Sequence, residues 1–167
     1  SNVFSPKQNL DWSNVVRPRS SSLFSQINTE DGPKQVWTTF GPDQIDLNWH
    51  NPKMTLEFLN LIITYLSNGI KWFRLDAVGF IWKESGTTCL HLPKAHSIVK
   101  LLRVLLNNLL DDGVLITETN VPQKENLSYL IPDDEAHMAY NFPLPPLLLE
   151  AIITSRADIL NSWIFDW

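Results

Sequence analysis

The chain has 167 residues, 44% of them hydrophobic and 19% charged, with a net charge of −5. That length suits one domain with a real core, the charge offers no basic footprint for nucleic acid, and no apolar run reaches the length of a membrane span. A single cysteine, Cys89, excludes an intrachain disulfide framework, and with no signal-peptide pattern at the N-terminus the expected setting is cytoplasmic.

Residues 1–27 are polar, contain Pro6, Pro18 and the run Ser20-Ser21-Ser22, and are expected to be loop. Within them, Val16-Arg17-Pro18-Arg19 is a proline-stiffened pair of arginines. Such a pair can grip an anion bidentately, or it can be solvated charge. Residues 35–40 read as a short strand that Gly41-Pro42 ends. Asn51-Pro52 is a helix start, with Asn as cap and Pro in the first turn. The helix runs to about residue 67, with Leu56, Leu59, Ile63 and Leu66 as its buried stripe, and Asn68-Gly69 stops it.

A strand over residues 69–78 follows, apolar enough for both faces to be buried as in a parallel sheet. Side chains alternate along a strand, so Arg74 and Asp76 share a face and are expected to form a buried ion pair. That pair is either structural or the start of an active site. After a long loop over residues 79–92, Pro93 begins a second helix carried by Ile98, Leu101, Leu102, Leu105 and Leu109. Asp111-Asp112-Gly113 ends it, and the strand Val114-Leu115-Ile116-Thr117 delivers Glu118 at its end. Another loop covers residues 119–134. Residues 136–140 suit a third strand, and the prolines 143, 145 and 146 lead into a helix over about 147–154.

Helices and strands therefore alternate, which implies an α/β fold with parallel strands and right-handed crossovers. A doubly wound sheet and a (β/α)8 barrel both fit. Asp76 and Glu118 each follow a strand, and one crossover helix separates them, so their strands are expected to be neighbours about 4.8 Å apart. Two carboxyls so placed can reach the roughly 5–5.5 Å separation of a retaining glycosidase, where one is nucleophile and the other acid and then base. Asp76, beside Arg74, suits the nucleophile, and Glu118, after an apolar run, suits the acid. The plainer use of such carboxylates is to cap the next loop.

These segments resemble a known family. Phe73-Arg74-Leu75-Asp76-Ala77-Val78, Leu115-Ile116-Thr117-Glu118-Thr119-Asn120, and Asp46-Leu47-Asn48 followed by Asn51-Pro52 resemble three conserved regions of the α-amylase family (glycoside hydrolase family 13), in the family's order. The resemblance implies that Asp76 is the nucleophile, Glu118 the acid/base, and Arg74 a support for Asp76. Val16-Arg17-Pro18-Arg19, Trp82-Lys83-Glu84-Ser85-Gly86-Thr87-Thr88-Cys89 and the run from Thr117 to Tyr129 are similar to the sucrose phosphorylase and glucosylglycerate phosphorylase subgroup. By that likeness Arg19 binds the attacking phosphate, and Phe40 and Gln44 line the acceptor side. The expected activity is retaining α-glucosyl transfer, with an α-glucoside and inorganic phosphate as the small-molecule partners and no other cofactor. An α-glucosidase or an amylosucrase-like transferase is the alternative within the family, and an inactive fragment keeping only the fold is the alternative outside it.

The family's third acid, in a His-Asp segment, and its first conserved region have no counterpart here. The chain is therefore expected to be the middle of a barrel enzyme, about its fourth to sixth strand-helix units. Residues 1–50 would end an inserted loop domain, and residues 51–167 would belong to the barrel. No metal is expected: His91, His96 and His137 lack ligand spacing, and His50 stands alone. Cys89 is expected to be a packed loop thiol.

Overall fold

The computed structural model describes residues 1–6, 10–131 and 133–165. Its first regular element corrects the sequence reading. Strand β1 (Phe24–Thr29) pairs antiparallel with β2 (Gly32–Trp37), so the region read as loop up to residue 27 contains half of a hairpin. Strand β2 also lies three residues earlier than expected. Glu30 and Asp31 form the turn, and Gly32 takes the positive φ of 102° that closes it. Ser25, Gln26 and Asn28 disguise β1, because tertiary packing and not propensity makes it a strand. What it packs against is Trp37, 1% exposed, which Phe4, Trp12 and Phe24 meet edge-on at 5.6, 5.0 and 5.4 Å.

Helix α1 (Pro52–Ser67) starts as expected: the Asn51 side chain accepts a hydrogen bond from the Lys53 N–H at 3.1 Å. Its buried face differs from the expected one. Met54 and Ile62 are buried and Phe58 and Leu66 partly so, a four-residue spacing that keeps one side inward, while Leu56 and Ile63 are exposed. The helix is apolar on more than one side, so composition alone could not choose the inner one. Helix α2 (Pro93–Leu109) likewise buries Ala95, Ile98, Val99, Leu102 and Leu106, and exposes Leu101 and Leu109.

Strands β3 (Trp72–Leu75), β4 (Val114–Thr117) and β5 (Met138–Ala139) form a parallel sheet in the order β3-β4-β5. The core lies between this sheet and helices α1 and α2, with Phe73, Leu75 and Leu115 packed on Ile62, Ile98 and Leu102. Only one face of β3 is buried: Phe73 and Leu75 point in, while Trp72 is 61% exposed. The second face expected to be covered is open within this chain, because no further element packs over it among the described residues. The other loops hold short helices, a 3-10 turn at Val78–Phe80 and α3 (Gln123–Leu127), before α4 (Leu144–Thr154). Helix α4 starts earlier than expected, and α5 (Asp158–Phe165) was not expected.

Candidate active site

Because β3, β4 and β5 run parallel, their C-terminal ends lie on one edge of the sheet, where barrel folds present functional groups. Asp76 follows β3, Glu118 follows β4 and Tyr140 follows β5. Arg74 connects all three. Its Nη2 lies 3.3 Å from Asp76 Oδ1 and 3.5 Å from Glu118 Oε1, and its guanidinium carbon is 5.1 Å from the centre of the Tyr140 ring. These two ion-pair distances bound the separation of the two carboxylate oxygens at their sum, 6.8 Å. Most of the roughly 6.5–9.5 Å range of inverting glycosidases lies above that bound, and the retaining range of roughly 5–5.5 Å lies below it.

The pairing of Arg74 with Asp76 is as expected, but its burial is not. The Asp76 side chain is 76% exposed and that of Arg74 42%, because they stand on the open face of β3. The Glu118 side chain, at 19%, is the more enclosed of the two carboxylates. Its Oε2 accepts a hydrogen bond at 3.1 Å from the Ala77 N–H. Ala77 has φ 47° and ψ 37°, a left-handed backbone for a residue with a Cβ, which turns the chain out of the strand direction just after this N–H.

Two cavities meet here. One, of about 450 Å3, is lined by Arg74, Asp76, Phe40 and Gln44. The other, of about 480 Å3, is lined by Arg19, Glu118, Asn120 and His91. Phe40, Ala77 and Phe80 line both and divide them, the two phenylalanine rings meeting edge-on at 5.5 Å. All six residues singled out in the sequence thus lie on this pair of cavities, with Phe40 on both. Arg19 is exposed and has no ion-pair partner among the described residues. Its loop is fastened at both ends: the Val16 N–H donates to the Thr88 carbonyl at 2.9 Å, and Ser21 Oγ donates to the Phe40 carbonyl at 2.9 Å.

A buried network supports the dividing wall. Lys83, 1% exposed in its side chain, sits 2.6 Å from Asp46 Oδ2, donates to the Phe80 carbonyl, and lies 5.2 Å from the Trp37 ring. Burial pushes the ammonium below the ordinary lysine value even though Asp46 opposes it. Cys89 is buried beside it, accepting the Glu84 N–H, as expected of a packed thiol. Sequence reasoning missed Tyr140, which it took only for the end of a strand, Ala77, and His91, which it weighed only as a metal ligand. The aromatic immediately after a strand was the one available signal for Tyr140.

A model of the alpha-amylase catalytic domain matches residues 26–161. The chain belongs to the alpha-amylase family. It is 47% identical over 155 residues to Glucosylglycerate phosphorylase of Escherichia coli (strain K12), and 49% identical over 154 residues to that of Allomeiothermus silvanus. Each match covers 92% of this chain and 28% of the relative, so the chain spans little more than a quarter of their length. Among solved structures, that of sucrose 6F-phosphate phosphorylase from Thermoanaerobacter thermosaccharolyticum superposes with a TM-score of 0.80 at 23% identity, over 96% of this chain and 35% of that one. The three strands and their crossovers are part of the (β/α)8 barrel of this alpha-amylase family. Among the described residues no helix is long and apolar enough to cross a membrane, and no group of three or more His, Cys, Asp or Glu side chains is placed to hold a metal.

Proposed function

We propose that this chain carries the reacting carboxylates of a retaining α-glucosyl transferase that uses inorganic phosphate, in the manner of a glucosylglycerate or sucrose phosphorylase. The observation that carries the reading is the shared guanidinium: Arg74 Nη2 within 3.5 Å of both carboxylates, and so both within reach of one anomeric carbon. In the first step Glu118 gives its proton to the glycosidic oxygen as the bond to the leaving group breaks, and Asp76 Oδ attacks the anomeric carbon to form a glucosyl ester. In the second, phosphate attacks that carbon, Glu118 takes the phosphate proton, and Asp76 leaves. Two inversions give α-glucose 1-phosphate with configuration retained.

Phosphate as acceptor is supported by Arg19, an exposed cation without an ion-pair partner among the described residues, on the cavity that holds Glu118. An α-glucosidase or an amylosucrase-like transferase would use the same two carboxylates but has no call on that cation. Phe40, which lines both cavities, and Gln44, which lines the one that holds Asp76, would bound the acceptor side of the site. The reading includes residues 1–50 as the end of an inserted segment and the later residues as about the fourth to sixth units of the barrel. It also includes a cytoplasmic setting, supported by the single free thiol. The test uses the complete polypeptide that carries this chain. With an α-glucosyl hydroxy acid as donor, phosphate-dependent release of glucose 1-phosphate is expected, and Asp76→Asn should reduce it by at least ~10³-fold. Phosphate-independent release of glucose by the unaltered protein would replace this reading with hydrolysis.

A further inference from the structure

The cavity that holds Arg19 and Glu118 contains a polar group the chemistry above leaves unused. His91 lines it, and the structure holds its ring firmly. The His91 N–H donates to the Gly79 carbonyl at 2.8 Å. The ring lies so close to Gly79 that a Cβ there would stand 2.6 Å from Cε1 and 2.9 Å from Nδ1, which only glycine avoids. Nδ1 is 2.8 Å from the Tyr129 hydroxyl. His91 also adopts φ 51°, a backbone conformation that costs energy for a residue other than glycine.

Tyr129 sets the tautomer. It is fully buried against His96, and burial pushes its phenol above the ordinary value, so it keeps its proton. A phenol has one proton to donate, and His91 Nδ1 is its hydrogen-bond partner among the described residues. Burial, and then the charge of His96, hold the imidazole below its ordinary value, which keeps it neutral. The phenol therefore donates, Nδ1 accepts, and Nε2 carries the ring hydrogen. Among the described residues that Nε2 is buried with no partner. Proteins seldom leave a buried donor so, and when they do a ligand is one of the few explanations. Glu125 is the rival acceptor, since its charge acts on His91. Its Oε2 is itself buried without a partner, so the two are not bonded to each other.

The arginine loop is docked on the same stretch of chain. The Gly86 N–H donates to the Asp11 carbonyl at 2.9 Å and the Val16 N–H to the Thr88 carbonyl, three residues before His91. We propose that Nε2–H of His91 and the guanidinium of Arg19 together hold one anionic oxygen group of the acceptor, on a phosphate or a carboxylate, beside Glu118. The assignment rests on the α-glucosyl transfer read above. An exposed guanidinium attracts any anion, whereas a neutral N–H fixed from several sides accepts only one whose oxygen lies in its direction. Inorganic phosphate in one direction and the carboxylate of a hydroxy acid in the other share this chemistry.

The test is made in the complete polypeptide. His91→Phe keeps the ring volume and removes both nitrogens, while His91→Gln keeps a side-chain N–H. α-Glucosyl fluoride reports formation of the glucosyl-enzyme with water as acceptor. His91→Phe should raise KM for phosphate, or for the hydroxy acid in synthesis, about tenfold or more beyond any loss of fluoride release, and His91→Gln should recover most of it. A rise for phosphate alone assigns the group to phosphate, a rise for the acid alone to its carboxylate, and a rise for both to a shared subsite. An equal fall in all rates, an unchanged KM for both anions, or a Glu125→Gln variant that reproduces His91→Phe would overturn the proposal. If the unaltered protein releases fluoride but makes no glucose 1-phosphate, the phosphorolysis reading fails separately. His91 is then judged by inhibition of fluoride release by phosphate, which His91→Phe should weaken about tenfold. Nitrogen NMR of the unaltered protein needs no variant: the His91 Nε2–H resonance should move on titration with inorganic phosphate, and a resonance fixed at saturating phosphate would also overturn the proposal.

Discussion

Breaking the pair of Lys83 and Asp46 on one side should cost more than removing both partners. The Lys83 ammonium is enclosed, 2.6 Å from Asp46 Oδ2 and 3.3 Å from Thr39 Oγ1, with a further bond to the Phe80 carbonyl. Lys83→Met leaves the Asp46 carboxylate largely buried, with the Thr39 N–H at 2.9 Å and the Thr39 hydroxyl at 2.7 Å as its donors. Loss of one partner from such a pair costs about 3–5 kcal/mol. The depressed lysine value shows that Asp46 offsets only part of the desolvation. Hence the pair adds little net stability, and Lys83→Met with Asp46→Leu should cost less than Lys83→Met alone, by about 1–3 kcal/mol. Urea titration followed by tryptophan fluorescence is the assay, since Trp37 lies 5.2 Å from the ammonium. If Lys83→Met costs under about 1 kcal/mol, or the double variant costs the sum of the two singles, the pair is not the buried, coupled unit described.

Arg74→Lys keeps the charge but loses the flat fork that reaches both carboxylates, and should lower kcat of the complete polypeptide about tenfold to a hundredfold, read by steady-state kinetics. Ala77→Val should destabilise by about 1–2 kcal/mol, because a branched side chain suits the left-handed backbone poorly, while Ala77→Gly should stay within about 1 kcal/mol of the parent in the same urea assay. His137 Nδ1 accepts the Leu115 N–H at 3.0 Å, which needs a neutral ring, and burial followed by the Arg103 charge holds it below its ordinary 6.5. Its contribution is therefore present above about pH 6.5 and lost as pH falls toward the lower folded value; the urea midpoint should drop over that window, and less so in His137→Gln.

The sequence made the edge that carries the two carboxylates legible because its signals are local. A strand period, a glycine stop and a carboxylate after each strand are enough to place Asp76 beside Glu118. Which face of a helix turns inward was not local. Leu56 and Met54 are both apolar members of α1, and only the sheet beneath decides that Met54 is buried. Strand β1 was hidden for a related reason: its polar residues become a strand through Trp37 and the aromatic rings around it. The exposure of Asp76 was also misread, since the apolar flanks of β3 suggested two covered faces where the chain itself covers one. Tyr140, Ala77 and His91 reach the site through geometry that residue type does not encode: an aromatic ring over Arg74, a left-handed turn, and an imidazole lodged against a glycine.

The bond from Ala77 to Glu118 has a consequence for how the site keeps its shape. Strands β3 and β4 stay in register through Leu75 and Thr117, and the Glu118 N–H still reaches the Leu75 carbonyl at 3.0 Å. A continuing parallel ladder would next send the Ala77 N–H to the main-chain carbonyl of Glu118. The side-chain Oε2 takes that place at 3.1 Å. The carboxylate is thus the last rung of the sheet, held by the same spacing that aligns the strands. A slip of one residue between β3 and β4 would release it and turn it away from Arg74, so strand pairing far down the ladder and the aim of this one oxygen rise or fall together.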